Sequence, residues 1–248
     1  MKLSPQQNFG EFVGRVQQAV GPVKNGVADL SGLEAYPITP RQCLYTLDWS
    51  KGQCTFQKGV KAFLGYTPEE FTFEKIMHSY HPDDEERLYR IISAAVLYCI
   101  SHDLNDEGFS MLLVYRVRHR NGHYIKVLRH STILPLAGDG HMISNLSLLT
   151  DISFMDTSDR VYWDVHANSL DREAFRENVF AAYADFFTGR ETEILRLMKR
   201  GLTNGKIAQK LFISKHTVAT HRKNIYRKSG CSNVKELMDF AHYCGALR

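Results

Sequence analysis

Cysteine is scarce in this chain and shows no pairing pattern: Cys43, Cys54, Cys99, Cys231 and Cys244 make an odd number with no C-x-x-C spacing. That argues against a disulfide framework and against a thiolate zinc site, and the five read as reduced, mostly buried thiols. Long apolar runs are missing too. The longest, Ala94 to Ile100, stops at Ser101 and His102, short of the roughly 18 residues that cross a bilayer. Met1-Lys2-Leu3 leads into Ser4-Pro5-Gln6-Gln7 instead of a hydrophobic signal core, so the expectation is a cytoplasmic protein with no membrane partner. No P-loop, ordered Ser/His/Asp set or paired-carboxylate motif is present, so no catalytic residues and no enzyme activity are expected. Among eleven histidines only His78-x-x-His81 has a spacing that brings two imidazoles near one metal. Pro82 forces His81 towards an extended backbone and no third ligand is placed, so the pair reads as a turn before a helix and no metal site is expected.

What is present is 248 residues with 44% apolar and 11% aromatic content, enough for one or two domains with cores of their own. The net charge of +4 conceals a local concentration. From Thr188 to Gly230 there are eleven bases and two acids, a charge of +9, which leaves −5 on everything else. A basic block joined to an acidic remainder fits a nucleic-acid-binding domain attached to a domain of another kind.

The local pattern in that block is helical. Thr188 with Glu191 three residues later predicts a capping box, after which Ile194, Leu195, Leu197 and Met198 recur at helical spacing until Gly201. Thr203 caps a second helix with Ile207, Ala208 and Leu211 inward, ending near Phe212-Ile213. Ser214 caps a third, Lys215 to Lys228 or Ser229, stopping at Gly230. A fourth begins at Ser232, with Val234, Leu237, Met238 and Ala241 inward. Four short helices with tight joints predict a helix-turn-helix unit whose third element is presented to DNA. At about 100° per residue, Val218 and Ile225 mark the inward stripe of that third helix, while His216, Thr220, Lys223 and Arg227 fall about 140° to 200° away and Ala219 about 100° away. Thr and Lys hydrogen-bond base edges in the major groove, and an Ala methyl touches a thymine methyl. An exposed polar face would suffice for a lone helix, but it explains neither the basic block nor the preceding turn.

These residues resemble a known family. Thr188-Gly189-Arg190-Glu191-Thr192-Glu193-Ile194-Leu195, Gly201-Leu202-Thr203-Asn204, Ile207-Ala208, Ile213-Ser214, Thr217-Val218, His221, Asn224-Ile225, Lys228 and Gly230 look like the LuxR/FixJ/NarL-type DNA-binding domain over about 60 residues. The resemblance implies base reading by Ala219, Thr220 and Lys223. Lys206, Lys215, His216, Thr217, Asn224 and Arg227 are the expected phosphate or flanking contacts. It also implies dimerisation through the fourth helix, Val234 to Cys244, on inverted-repeat sites in double-stranded DNA. Two departures stand out: Ala219 replaces a common Lys, and Lys206 replaces the usual Glu.

The acidic part mixes strands and helices. Cys43 to Trp49 and Gln53 to Phe56 alternate as two strands around Lys51-Gly52. Phe63 to Phe71 reads as a helix end followed by a new helix capped by Thr67 with Pro68 first. Asp83 or Asp84 is expected to cap a longer helix carrying Leu88, Ile91, Ile92, Ala95 and Cys99. Ser110 to His119, His123 to Leu134 and His141 to Asp151 read as strands, with Asn121-Gly122 and Gly138-Asp139-Gly140 between them, the first a strong hairpin signal. The order of Phe63-Leu64-Gly65-Tyr66, Pro68-Glu69-Glu70, His81-Pro82-Asp83-Asp84, Arg118 to Gly122 and Asp151-Ile152 resembles a PAS domain over about 110 residues. That resemblance implies a sensor or dimerisation module holding a small ligand, of unidentified kind, or nothing, between sheet and helices. No cofactor is evident: an Asn-Cys-Arg-Phe flavin segment is missing, and His102 at a polar helix end makes a poor haem ligand. No receiver-type acidic cluster marks a phosphorylatable Asp.

The fold class predicted is α+β: a PAS-like antiparallel sheet with helices, then an all-α four-helix helix-turn-helix domain. The expected segments are 1–40, an N-terminal helical piece with Phe9, Phe12, Val13, Val16 and Val20 at helical spacing; 41–155, the sensor; 156–187, a connector; and 188–248, the DNA-binding domain. In the connector, Asp171 is expected to cap a helix exposing Phe175, Val179, Tyr183 and Phe186 or Phe187 along one side, able to pass sensor occupancy to a dimer's recognition helices. The functional expectation is a dimeric DNA-binding transcriptional regulator. Its rival is an interaction adaptor whose helical C-terminal domain docks on the transcription machinery, with RNA polymerase as partner.

Overall fold

The structure, a computed structural model, describes residues 30–49, 51–102, 108–134 and 144–247, together with positions 10, 13, 14 and 18. The predicted stripe of Phe9, Phe12, Val16 and Val20, the Gly138-Asp139-Gly140 turn and the start of the strand at His141 lie outside the described residues. The chain divides into two compact units, 1–175 and 176–248.

The first unit is built on six antiparallel strands: β1 (Gln42–Asp48), β2 (Gln53–Lys58), β3 (Ser110–Arg118), β4 (Tyr124–Leu134), β5 (Ser144–Asp151) and β6 (Tyr162–His166). Their order across the sheet is β2-β1-β5-β4-β3-β6. Period-two alternation decides the faces. In β3, Met111, Leu113, Tyr115 and Val117 are buried while Leu112, Val114 and Arg116 between them are only partly covered. Register then aligns inward residues into rows, Tyr45 beside Ser147, Ser147 beside Ser131 and Ser131 beside Met111. β6 comes from the stretch read as a connector. Its Tyr-Trp-Asp-Val-His alternation is strand-like, but its partner is β3, about fifty residues back, and a pairing so distant leaves no local turn signal.

Between β2 and β3 lie α1 (Val60–Leu64), α2 (Phe73–Met77) and α3 (Pro82–Ser101). The predicted α3 stripe of Leu88, Ile91, Ile92, Ala95 and Cys99 is buried. Two local expectations are corrected. Thr67-Pro68 starts a single turn, not a helix: Glu70 and Phe71 donate to the Thr67 carbonyl and the chain then restarts at Thr72, whose hydroxyl caps α2. The cap of α3 is His81, not Asp83 or Asp84. Pro82 takes the first helical position, where its missing N–H costs nothing, and His81 Nδ1 accepts from the Asp83 N–H at 3.1 Å. His78 Nδ1 meanwhile lies 2.9 Å from the Glu74 carbonyl. Asp84 is freed for the interior, where its carboxylate accepts from Arg87 at 2.8 Å and Arg116 at 2.6 Å. At the far end His102 is the C-cap, its ring stacked 3.9 Å from that of Tyr98.

The helix α4 (Arg172–Ala182) begins in the first unit and ends in the second. Asp171 Oδ1 accepts from the Glu173 and Ala174 N–H groups, as predicted for a cap. The side chains expected to be exposed are instead buried. Phe175 packs edge-on to Tyr98 and Trp163, and Tyr183, Phe186 and Phe187 surround Phe240. An aromatic stripe of that size is worth more inside than on the surface. No helix among the described residues is long and apolar enough to cross a membrane.

Candidate nucleic-acid interface

The second unit holds α5 (Gly189–Lys199), α6 (Asn204–Leu211), α7 (Lys215–Ser229) and α8 (Val234–Tyr243). Each is started by its own cap. Thr188 and Glu191 form the reciprocal capping box, and the Thr203 and Ser214 hydroxyls accept from Lys206 and Thr217 N–H groups. The fourth cap is Asn233, one residue beyond the expected Ser232. Its Oδ1 accepts from the Glu236 N–H at 3.0 Å, while the Glu236 carboxylate reaches back to the Ser232 N–H at 2.8 Å.

One apolar layer fixes the four helices: Ile194 and Leu195 of α5, Ile207 of α6, Val218 and Ile225 of α7, and Leu237 and Ala241 of α8 are each fully covered. Burial of Val218 and Ile225 sets the rotation of α7. Its opposite face turns His216, Ala219, Thr220, Lys223 and Arg227 to solvent together. At 1.5 Å per residue, 15 residues give a helix on the order of 20 Å long, which fits the major groove. The Thr220 hydroxyl donates to the His216 carbonyl at 3.1 Å, leaving its lone pairs outward.

The expected flanking residues do not all lie alike. Lys206 and Lys215 are exposed, and Lys215 Cε lies over Gly205, where an added Cβ would stand 3.3 Å away. Thr217 and Asn224 are half-buried. Thr217 is engaged in the α7 cap, its Oγ1 2.9 Å from Ser214 Oγ. Eight of the block's eleven bases are exposed: Arg196, Lys199, Arg200, Lys206, Lys210, Lys215, Lys223 and Arg227.

Two features of the site escape sequence reasoning. Glu191, buried in α5, pairs through Oε2 with Lys228 Nζ of α7, so the scaffold helix is tied to the exposed one by charge. Burial pushes the Glu191 carboxyl up, but bonds from Lys228 and the Thr188 N–H outweigh it and hold the pKa below its usual value. Phe212, between α6 and α7, sits at φ 52° and is 96% exposed. A left-handed cap normally taken by Gly or Asn here carries a bare aromatic ring. Arg190 ties the same corner, donating to the Leu211 carbonyl at 3.0 Å and pairing with Glu193 at 2.6 Å.

Comparison with known proteins agrees with this architecture. Residues 185–241 match the luxR family of bacterial regulatory proteins, and residues 53–146 match the PAS fold. The Fimbriae Z protein of Escherichia coli K12 is 46% identical over 54 residues, which is 22% of this chain and 26% of that protein. The oxygen regulatory protein NreC of Staphylococcus aureus is 44% identical over 52 residues, 21% of this chain and 24% of that protein. The chain thus spans about a quarter of the length of these curated relatives. Among solved structures, the N-terminal domain of a Marinobacter aquaeolei diguanylate cyclase with a PAS/PAC sensor aligns with TM-score 0.36 at 19% identity, over 46% of this chain and 96% of that one. The phage VqmA-DPO complex aligns with TM-score 0.31 at 16% identity, over 88% of this chain and 89% of that one. Residues 185–241 are a luxR-family helix-turn-helix domain of bacterial regulatory proteins, preceded at 53–146 by a PAS domain.

Proposed function

We propose that the chain is a sequence-specific DNA-binding transcriptional regulator that acts as a homodimer and carries a PAS sensor for a small molecule. The observation that carries this reading is the single exposed face of α7, on which His216, Ala219, Thr220, Lys223 and Arg227 stand together above a buried Val218–Ile225 stripe. In this reading Ala219, Thr220 and Lys223 read bases, and Lys206, Lys215, His216 and Arg227 contact phosphates or flanking groups. Asn224 and Thr217 contribute from the margin of the face. The chain is a binding protein and not a catalyst, it works in the cytoplasm, and RNA polymerase is its further partner. Dimerisation falls to α8, which leaves Val234 and Tyr243 41% and 51% exposed. NreC is a regulatory protein by name, and the family matched over residues 185–241 is one of bacterial regulatory proteins, which supports the same reading for the domain they share with this chain.

The test is duplex binding of the full chain against salt, with Lys223→Ala beside it. Wild type should lose affinity linearly in log–log coordinates as basic side chains release phosphate counterions. Lys223→Ala should lose about tenfold or more on its preferred site and relax the preference at one base position. Unchanged affinity and preference in that variant would remove α7 as the reading helix.

A further inference from the structure

Phe212 is out of keeping with the rest of the helical unit. Every other large apolar side chain from Thr188 to Gly230 is at least partly covered, whereas the Phe212 ring is 96% exposed on a backbone at φ 52°. Water around the ring and the left-handed backbone both cost stability, and Gly or Asn at this position avoids both costs. Nothing inside the unit offsets them, which directs attention to a contact outside it. The ring is also presented on a fixed support. The Phe212 N–H is given to the last turn of α6, at the Ala208 and Gln209 carbonyls, the Ile213 N–H donates to the Ala208 carbonyl at 3.1 Å, and Arg190 holds the Leu211 carbonyl. A ring on such a backbone has only two torsions left to order when it is covered.

The surroundings of the ring select the kind of partner. Phe212 stands two residues before Ser214, the cap of α7, and three before Lys215. Three residues of chain span at most about 10 Å, so the ring belongs to the end of α7 that carries the positive pole of the helix. Lys210 and Lys215 on either side of it in sequence are exposed, and no Asp or Glu occurs anywhere from Gly201 to Gly230. An apolar ring among cations matches a surface on which anions alternate with hydrocarbon, and a duplex backbone is such a surface, with a deoxyribose between successive phosphates. An acidic protein face would also satisfy the lysines, but the reading of α7 as the groove-entering helix already brings phosphates to this end of it. We propose that Phe212 packs against a deoxyribose of the duplex backbone, beside the phosphate that Lys215 meets. The contact positions α7 without reading sequence, because sugars carry no base information. The inference deepens the DNA-binding reading given above and rests on it.

The full chain is titrated with its preferred duplex and with a scrambled one over a series of salt concentrations, for wild type, Phe212→Asn and Phe212→Tyr. Asn accepts the left-handed backbone, so Phe212→Asn removes the ring and keeps the joint, which thermal unfolding of the same samples checks. It should bind both duplexes about tenfold more weakly, the effect of leaving one apolar ring face in water. Sequence preference should stay as in wild type, and so should the slope of log affinity against log salt, because no charge is removed. Phe212→Tyr keeps the ring and should keep the affinity. Wild-type affinity in Phe212→Asn overturns the contact, as does a loss confined to the preferred duplex, which would make the ring a base contact. A shallower salt slope overturns it too, since the loss would then lie in displaced cations. Where Phe212→Asn does not fold, Phe212→Gly, equally at ease in this backbone, decides by the same readings. A wild-type chain that binds no duplex removes the DNA-binding reading itself, whereas wild-type binding matched by Phe212→Asn overturns this contact alone.

Discussion

Glu191 holds two ends of the helical unit at once, closing the α5 capping box and neutralising Lys228 on α7. Its carboxyl pKa is lowered in the folded protein, so its contribution to stability is present above the unfolded value of about 4.3 and is lost as pH falls through the folded one. Glu191→Ala should destabilise this unit by about 3 kcal/mol, chiefly by stranding Lys228 in the interior. Its unfolding midpoint, followed by circular dichroism at 222 nm, should also depend less on pH in the acid range than that of wild type. The capping role was legible, because Thr188 and Glu191 are three residues apart. The bond to Lys228 was not, since nothing local ties two residues separated by 37 positions. Phe212 gives the opposite test. An L-residue in the left-handed region costs roughly 1–2 kcal/mol, and this exposed ring recovers nothing by burial. Phe212→Asn should raise the unfolding temperature of the C-terminal unit by a few degrees; a lower temperature would mean that the ring packs on something in solution.

At the scale of elements, α3 is positioned by charge as well as by its apolar stripe. Asp84 is fully buried and accepts from the Arg116 backbone N–H at 3.0 Å as well as from the Arg87 and Arg116 side chains, so it pins the helix start to β3. Asp84→Ala should cost about 3 to 5 kcal/mol, the range for removing one member of a buried ion pair. Urea unfolding followed by tryptophan emission should report it, because both tryptophans, Trp49 and Trp163, belong to the first unit. A variant unfolding at the wild-type midpoint would show that the cluster is not what holds α3. Helices were the most readable elements, since 3.6-residue periodicity and caps are both local: the inward Val218 and Ile225 and the start and stop of α7 follow from residues within its own span. β6 was less readable because its ladder depends on a strand far away in sequence. His81 as the α3 cap was hidden by two better-known capping residues just after it. The burial of Arg129 has no local signal, because a charged residue in an alternating strand ordinarily faces water.

For the whole molecule, the modest total of +4 resolves into +9 on the helical block and −5 on the rest. That division concentrates attraction for phosphate on the unit that presents α7 and withholds it from the PAS unit. Raising salt from 50 to 200 mM should weaken duplex binding by a factor on the order of 10³ if about six phosphates are contacted, while leaving the unfolding temperature of the PAS unit nearly unchanged. Domain class was legible because each unit carries its own pattern, alternation in one and helical caps in the other. The aromatic packing on and just after α4 has no local signal, because the residues that cover Phe175, Tyr183, Phe186 and Phe187 lie far away in sequence. Whether α7 reads sequence is decided by selecting bound duplexes from a random pool with the full chain. The expected result is enrichment of an inverted repeat bound at least 10³-fold more tightly than scrambled duplex at the same salt, with the preference relaxed in Lys223→Ala; equal affinity for every duplex would contradict it.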